Sequence, residues 1–336
     1  MFSIVIPLYN KAPYIEKALR FVQAQTCREF EVIIIDDGST DNSLDLANKF
    51  IAEISSSPTT SPPLGGFRGA SQSNQGVSTA RNNGVKLAKY PYICFLDADD
   101  WWAPTFLEEM KGLIEEFPDA GIYGTSYYKV KNGKHIPANI GVEEDFQKGY
   151  INYCQVYAKT MWMPLTSISV CIPKKVFEEE NGFKPNLKLG EDFDLWVRIA
   201  LKYPVAFLNK PLAYYNQDVD VKNKGVMKDK IYDPKTFVTF HLDFLKDDEE
   251  KNADLKLLLD KLRVSSLYRY RLQNKYPDEV NKIISKVDFS NLSRKNYYHY
   301  HLPVFLLNIV YSIQKLGSRI KTYYYYVNKI FKKSIK

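Results

Sequence analysis

Three short strand-like runs in the first hundred residues end in, or just before, a polar loop, and two of those loops open on carboxylates. Ser3 to Leu8 reads as a strand. Tyr14 to Ala24 has helical spacing, with Ile15, Ala18, Leu19 and Val22 on one face. Glu31 to Ile35 reads as a buried strand that closes on Asp36-Asp37-Gly38. Ser39-Thr40-Asp41 then supplies N-cap chemistry for a helix over Leu44 to Phe50. Tyr92 to Leu96 is a further buried strand and closes on Asp97, and Pro104 opens a helix that reaches about Phe117. Strand and helix in alternation specify an α/β protein with a Rossmann-like, mainly parallel sheet flanked by helices.

The rest of the chain narrows the class. The 336 residues suit one large or two modest domains, and 45% hydrophobic content is enough for a sizeable core. Cys27, Cys94, Cys154 and Cys171 form no CxxC pair and match no zinc spacing, which points to reduced thiols. Met1 leads directly into the first strand, with no basic segment of the signal-peptide kind. The longest apolar stretch, Leu302 to Ile313, is broken by Asn308 and falls short of the roughly 20 residues that span a bilayer. Residues 55–75 are rich in Ser, Pro, Gly and Thr and read as a low-complexity, flexible insertion without chemistry of its own, with a short strand near Phe67. Ile168 to Ile172 reads as a strand and Asp192 to Leu201 as a helix. From Pro234 the pattern is helical and increasingly basic. The expected organisation is a catalytic domain over 1–220 and a helical C-terminal region over 221–336.

The carboxylates carry the chemistry. In an open α/β sheet, ligands bind beyond the carboxyl ends of parallel strands. Asp36-Asp37 and Asp97-Ala98-Asp99-Asp100 both sit at such ends. So much negative charge on one crevice calls for a cation, and Mg2+ or Mn2+ with oxygen ligands is the natural partner. Each cluster also has a plainer reading. Asp-Asp-Gly-Ser-Thr-Asp equally suits a turn and N-cap, Asp-Ala-Asp-Asp a solvated loop, and Glu191-Asp192-Phe193-Asp194 the acidic first turn of a helix. Their conjunction in this order is what favours a site.

With those residues in place, the chain resembles the family 2 glycosyltransferases, enzymes of the GT-A fold. The resemblance rests on Ser3-Ile4-Val5-Ile6-Pro7-Leu8-Tyr9-Asn10, on Phe30 to Asp41, on Asn74-Gln75-Gly76-Val77-Ser78 with Ala80-Arg81-Asn82, on Phe95 to Trp101, and on Gly182-Phe183 with Gly190-Glu191-Asp192. It covers residues 1 to about 215 and fades after Tyr215. It implies an inverting hexosyltransferase-type enzyme that moves a sugar from a nucleoside-diphosphate sugar, expected to be a UDP-sugar, to a hydroxyl of a glycan or lipid-linked acceptor in surface polysaccharide synthesis.

The resemblance also implies roles. Pro7 and Tyr9 line the base and ribose pocket, Asp37 accepts from the uracil ring, Asn74 and Arg81 face the nucleotide or sugar, and Asp97 touches ribose or sugar. Asp99 ligates Mn2+ or Mg2+ within a DXD segment. Asp192, in an ED motif, is the general base, and Glu191 and Trp101 stand on the acceptor side. Members often supply a further metal-site His beyond this region. Here the stretch reads Tyr214-Tyr215-Asn216-Gln217-Asp218, which leaves Asp218 as the substitute to consider. His135, His241, His299 and His301 form no ligand cluster in sequence.

Nine Lys and Arg residues and no Asp or Glu follow Asp288, so the preceding residues carry a slightly negative net charge. Phe305, Ile309, Ile313, Leu316, Ile320, Tyr324, Val327 and Phe331 make an apolar stripe, with lysines on other faces. That pattern describes a peripheral membrane contact by an interfacial helix, and a helix packed on protein is the competing reading. A nucleic-acid partner is not expected, because no binding motif accompanies the charge. The expected place is cytoplasmic, peripheral on the inner face of the plasma membrane. Two other functions compete with the one that the resemblance implies. A phosphatase of the haloacid dehalogenase type needs Thr or Val where Trp101 stands. A catalytically inactive nucleotide-sugar-binding or scaffolding subunit would be expected to lack some of the acidic positions, and all of them are present.

Overall fold

A computed structural model describes residues 1–56, 63–220 and 230–307. The basic stripe beyond residue 307 lies outside the described residues, as does the Ser-Pro stretch 57–62. The chain divides into two compact units, Met1–Leu258 and Leu259–Lys336.

In the first unit the elements run β1 (Phe2–Leu8), α1 (Ile15–Gln23), β2 (Phe30–Asp36), α2 (Ser43–Ser56), β3 (Phe67–Ser71), α3 (Val77–Leu87), β4 (Tyr92–Phe95), β5 (Trp101–Trp102), α4 (Phe106–Glu116), β6 (Ile122–Lys131), β7 (Lys134–Pro137), β8 (Lys148–Ile151), α5 (Tyr153–Thr160), β9 (Val170–Pro173), α6 (Lys174–Glu179), α7 (Glu191–Ala200), β10 (Val205–Asn216) and α8 (Lys246–Lys251). The main path of the sheet is β3-β2-β1-β4-β9-β6-β10-β5, with β7 on β6 and β8 on β10. Pairing is parallel from β3 through β4 and again between β6 and β10. The intervening β9 runs antiparallel to both β4 and β6. The sheet is therefore parallel in its half from β3 to β4 and mixed beyond it.

Local chemistry accounts for the first half. β1 and β2 are buried along nearly their whole length, as expected of strands covered on both faces. Ile15, Ala18, Leu19 and Val22 are the buried side of α1. The segment read as an insertion is largely folded: α2 continues through Ser56, and β3 pairs in parallel with β2 from Val32↔Phe67 to Asp36↔Ser71. α3 packs against β1 through Gly84, where a Cβ would meet Val5 Cγ1 at 2.3 Å. Only glycine permits that approach, and it sets how deep Arg81, on the same helix, sits. In the middle of the sheet, Ser167–Ser169 forms a single 3-10 turn capped by Thr166 before β9 begins, which shortens the strand expected from Ile168. The four cysteines are free thiols, and Cys94 and Cys171 are opposite one another on β4 and β9.

The second unit is helical. The chain reaches it along α9 (Ala253–Leu272) and continues into α10 (Pro277–Ile284) and α11 (Arg294–His301). Tyr300 donates to the carbonyl of Val264 at 2.7 Å, and Arg271 donates to the carbonyls of His299 and Leu302, each at 3.0 Å. Asp260 and Arg263 form a buried pair at 3.3 Å. Among the described residues, no helix is long and apolar enough to cross a membrane.

Candidate active site

The carboxyl ends of β1, β2 and β4 are adjacent, and backbone bonds tie them together. Asp37 N donates to Leu8 O at 2.8 Å, and Leu96 N donates to Val5 O at 3.1 Å. This places Tyr9, Asp37 and Asp97 along one edge of the sheet. Pro7 ends up half-buried in β1 opposite Ile35, and Tyr9 is 44% exposed just beyond it.

Asp37 is buried and receives three hydrogen bonds. Gln72 Nε2 donates to Oδ1 at 2.7 Å, Gln75 N to Oδ1 at 2.8 Å and Gly76 N to Oδ2 at 2.8 Å. The loop between β3 and α3, which carries Asn74, is thus organised around Asp37. Asn74 is exposed in that loop, and its backbone N would lie 3.1 Å from a Cβ at Gly38, whose φ is +75°. Asp36 caps the turn after β2, accepting from Ser39 N at 3.2 Å.

Arg81 stands at the centre. It is buried, on the second turn of α3, and its guanidinium is shared among three carboxylates. Nη2 lies 2.8 Å from Asp97 Oδ1, and Nη1 lies 3.2 Å from Asp192 Oδ1 and 3.6 Å from Glu191 Oε1. Nη2 also donates to Ser167 Oγ at 3.0 Å, and the guanidinium lies over the Phe183 ring at 5.2 Å. The resemblance sends Arg81 to the nucleotide or sugar; without a ligand its fork is taken by side chains from three segments. A planar cation with five donors suits several carboxylates at once. The pairing raises its pKa against the opposing effect of burial.

Glu191 and Asp192 open α7. Gly190 precedes them with φ +84°, and a Cβ there would meet Val238 Cγ1 at 2.2 Å. Asp192 Oδ2 accepts from Ser167 N at 3.3 Å. Burial raises the Asp192 pKa, Arg81 pulls it back down, and Asp97 adds to the rise. Burial, then Asp192, push Glu191 up to about 7 against the pull of Arg81. Asp194 belongs to the structure: it is buried, held by Lys184 at 2.6 Å and Arg198 at 2.7 Å, and so ties the loop before α7 to the helix.

Asp99 Oδ2 lies 2.6 Å from Lys11 Nζ. Burial raises its pKa, Lys11 lowers it and Asp97 raises it again. Asp100 Oδ1 accepts from Asn216 N at 2.7 Å, and its buried Oδ2 has no hydrogen-bond partner. Burial and the charges of Asp99 and Asp97 hold the Asp100 pKa well above the carboxylate range. Among the described residues no three His, Cys, Asp or Glu side chains form a ready-made metal cage. The donor set still fits a hard divalent ion, because it consists of carboxylate oxygens with one left unpartnered. Mg2+ in particular is usually bound through one or two carboxylates completed by phosphate oxygens and water.

Two residues turn out to have other occupations. Asp218, the substitute considered for a further metal ligand, caps the turn between β6 and β7, accepting from Asn132 N at 2.7 Å and Gly133 N at 2.9 Å. Its oxygens are committed to backbone there. Trp101, expected on the acceptor side, is 6% exposed, with Tyr214 stacked at 5.5 Å, Phe21 at 6.0 Å and Lys17 Nζ 3.3 Å over the ring. A ring covered in this way has little open face for a sugar. The sequence reading missed Lys11, Ser167 and Tyr215. Lys11 directly follows the Tyr9-Asn10 pair that the reading singled out. Ser167 carries no local signal. Tyr215 is 40% exposed and its hydroxyl is pushed up to about 12, first by burial and then by Asp100, Asp97, Asp99 and Asp192, which marks it as a neighbour of the site.

The chain is similar in sequence and in fold to known glycosyltransferases. The sequence model of the family described as Glycosyl transferase family 2 matches residues 3–168. An "Uncharacterized glycosyltransferase" of Rickettsia felis is 33% identical over 218 residues, covering 63% of this chain and 32% of that protein, so the chain spans about a third of its length. The amylovoran biosynthesis glycosyltransferase AmsB of Erwinia amylovora is 28% identical over 228 residues, covering 64% of this chain and 69% of AmsB. Among solved structures, S. aureus TarS 1-349 in complex with UDP-GlcNAc superposes with a TM-score of 0.68 at 19% identity, covering 89% of this chain and 86% of that one. The mannosyltransferase PcManGT from Pyrobaculum calidifontis, in complex with GDP-Man and Mn2+, reaches 0.53 at 17% identity, covering 96% and 82%.

Proposed function

The chain belongs, through residues 3–168, to glycosyl transferase family 2, and from that premise we propose that it is an inverting transferase. It moves a sugar from a nucleoside-diphosphate donor to a glycan or lipid-linked hydroxyl in surface polysaccharide synthesis. The observation that carries this reading is the meeting of Asp97, Arg81 and Asp192 at the carboxyl edge of the sheet. Support for the donor class comes from the relatives: TarS is seen with UDP-GlcNAc and PcManGT with GDP-Man and Mn2+. Support for polysaccharide synthesis comes from AmsB.

In this reading Tyr9 and Pro7 border the base and ribose, while Asp37 accepts from the base and shapes the loop that carries Asn74. Asp97 meets the ribose or sugar. Asp99 would hold Mn2+ or Mg2+, which when bound supplies charge neutralisation for the leaving diphosphate. Asp192 takes the proton of the acceptor hydroxyl as that oxygen attacks the anomeric carbon opposite the leaving group. The attack from the far face inverts the centre. Arg81 favours the ionised form of Asp192 before the acceptor arrives. Glu191, with its pKa pushed up to about 7, is largely protonated in mildly acidic solution, which limits repulsion with Asp192.

The test is nucleotide-sugar turnover with Mn2+ across UDP-, GDP- and TDP-sugars, preceded by a thermal-shift screen with the same compounds. Loss of turnover in Asp99→Ala with retention in Asp192→Asn would remove the base role from Asp192. Tight nucleotide binding with no turnover on any donor and acceptor would replace the enzyme with a binding subunit.

The basic tail is proposed to rest on the inner leaflet, near a lipid-linked acceptor. Its support is the sequence pattern, together with the exposed Tyr297, Tyr298, Phe305 and Leu306 just ahead of it. Co-sedimentation of the full chain with anionic vesicles should be lost when Lys315, Arg319 and Lys329 are changed to Glu.

A further inference from the structure

β6 carries a half-buried lysine on the face of the sheet that holds the acids. Lys129 pairs in register with Tyr215 of the parallel neighbour β10, so the two side chains leave the sheet on one face. Tyr215 is the neighbour of Asp97, Asp99, Asp100 and Asp192 described above. Tyr127 shares that face by the alternation of the strand, and its hydroxyl donates to the carbonyl of Met163 at 3.0 Å. That bond pins the loop after α5. Within the loop Met161 takes φ +55°, and Trp162 N donates to Thr160 Oγ1 at 3.1 Å. The Trp162 ring is thereby laid on the lysine, with Nζ 3.1 Å from the ring centroid. The same loop runs on to Ser167, which bonds both Arg81 and Asp192. Lys129 and Trp162 therefore border the site from the β6–β10 side, across the sheet from Asp37 on β2.

Other lysines of this unit hold carboxylates: Lys159 pairs with Glu143, Lys184 with Asp194 and Lys210 with Glu109. Lys129 has no acidic partner among the described residues. Burial, with no acid acting against it, pulls its pKa down to about 8, which leaves it largely protonated at pH 7. Packing against Trp162 needs no charge, and a half-buried ammonium gains more from an anion than from an indole face. Tyr215, whose hydroxyl keeps its proton, adds a hydrogen-bond donor on the same face. An ammonium meets phosphate as a point charge, whereas a planar carboxylate is better matched by a guanidinium fork. We propose that Lys129, backed by Trp162 and Tyr215, binds a phosphoryl group of the acceptor, so that the enzyme takes a phosphate-bearing acceptor. This rests on the donor-site reading above, which puts the nucleotide on the Asp37 side, and it adds the chemistry of the acceptor to it.

The test is a titration of the full-length protein, labelled with 5-fluorotryptophan, with inorganic phosphate at constant ionic strength. The chain has 4 Trp, and Trp162→Phe assigns the Trp162 fluorine resonance. Phosphate is expected to move that resonance saturably, and Lys129→Met should weaken the response on the order of tenfold. Lys129→Gln should behave in the same way and covers the case of a poorly folded Met variant, with circular dichroism reporting the fold of each. The response should persist with UDP and Mg2+ at saturation, because the acceptor's phosphate and the donor's diphosphate occupy different places. No saturable shift in the unaltered protein, or equal phosphate affinity in a folded Lys129 variant, overturns the proposal. Displacement of phosphate by UDP also overturns it, since Lys129 would then serve the donor. The donor-site reading fails separately, by absence of UDP, GDP and TDP binding in the unaltered protein. That result removes the acceptor role, while the phosphate site at Lys129 stands or falls on the titration without nucleotide.

Discussion

Arg81 Nη1 stands 3.2 Å from Asp192 Oδ1, joining α3 to the first turn of α7 across 111 positions of sequence. The same guanidinium reaches Asp97 and Glu191, so one buried cation neutralises part of a site that holds more carboxylates than cations. The proposed donor site and the stability of this region therefore meet in one side chain.

Replacing Arg81 by Met should cost about 3–5 kcal/mol of unfolding free energy at pH 8, because it strands buried carboxylates. Those carboxylates then titrate at higher pH in the folded state than in the unfolded chain, so the folded protein regains stability as they protonate. Urea unfolding should show a smaller deficit at pH 5 than at pH 8. A deficit equal at both would mean that the loss is one of packing. Arg81→Lys should recover only part of the stability, since an ammonium cannot fork between acids.

Glu191 has a folded-state pKa of about 7, above the ordinary 4.5. Its preference for the proton in the folded state stabilises fully below pH 4.5 and is lost as pH rises through 7. Glu191→Gln should thus match the parent near pH 4.5 and exceed it at pH 8, by up to about 3 kcal/mol. Equilibrium unfolding at the two pH values measures this. A gap independent of pH would contradict the assignment.

Gly84→Ala places a methyl against Val5 Cγ1, at 2.3 Å before relaxation. Overpacking costs about 1–3 kcal/mol, while alanine returns about 1 kcal/mol of helix propensity. The net expectation is a loss of up to about 2 kcal/mol, with donor binding weakened as α3 lifts Arg81 from Asp97. Adding Val5→Ala should restore most of the donor affinity, measured by calorimetry with UDP, even though it removes core volume. No restoration would show that the contact does not set the depth of α3.

Asp218→Ala removes two hydrogen bonds from the 132–133 turn and should cost about 1–3 kcal/mol. It should leave Mn2+ affinity unchanged. A clear fall in affinity would return Asp218 to the metal site.

Much of the first hundred residues was readable before the structure. The apolar face of α1 follows from a period of 3.6 residues and the buried lengths of β1 and β2 from continuous apolar runs, which local sequence encodes directly. The carboxylates were found for the same reason, since strand ends predict where Asp37 and Asp97 fall. Trp101 and Asp218 show where this reasoning stops. An aromatic beside a DXD-like segment and an acid beside a gap in a motif both look available in sequence. Whether a ring is stacked or a carboxylate is already bonded depends on neighbours far along the chain.

Sequence alone determined which segments form strands and helices and which acids stand at strand ends, because these depend on side-chain periodicity and on turn chemistry within a few residues. Only the tertiary structure decided how the acids divide. The order β1-β4-β9-β6-β10 brings Ser167, Glu191 and Asp192 to the Asp97 end of the sheet, and Arg81 sits among them because Gly84 lets α3 close on Val5. Asp99 is likewise paired with Lys11 from the turn after β1. These pairings are electrostatic choices among residues tens of positions apart, and no local pattern contains them.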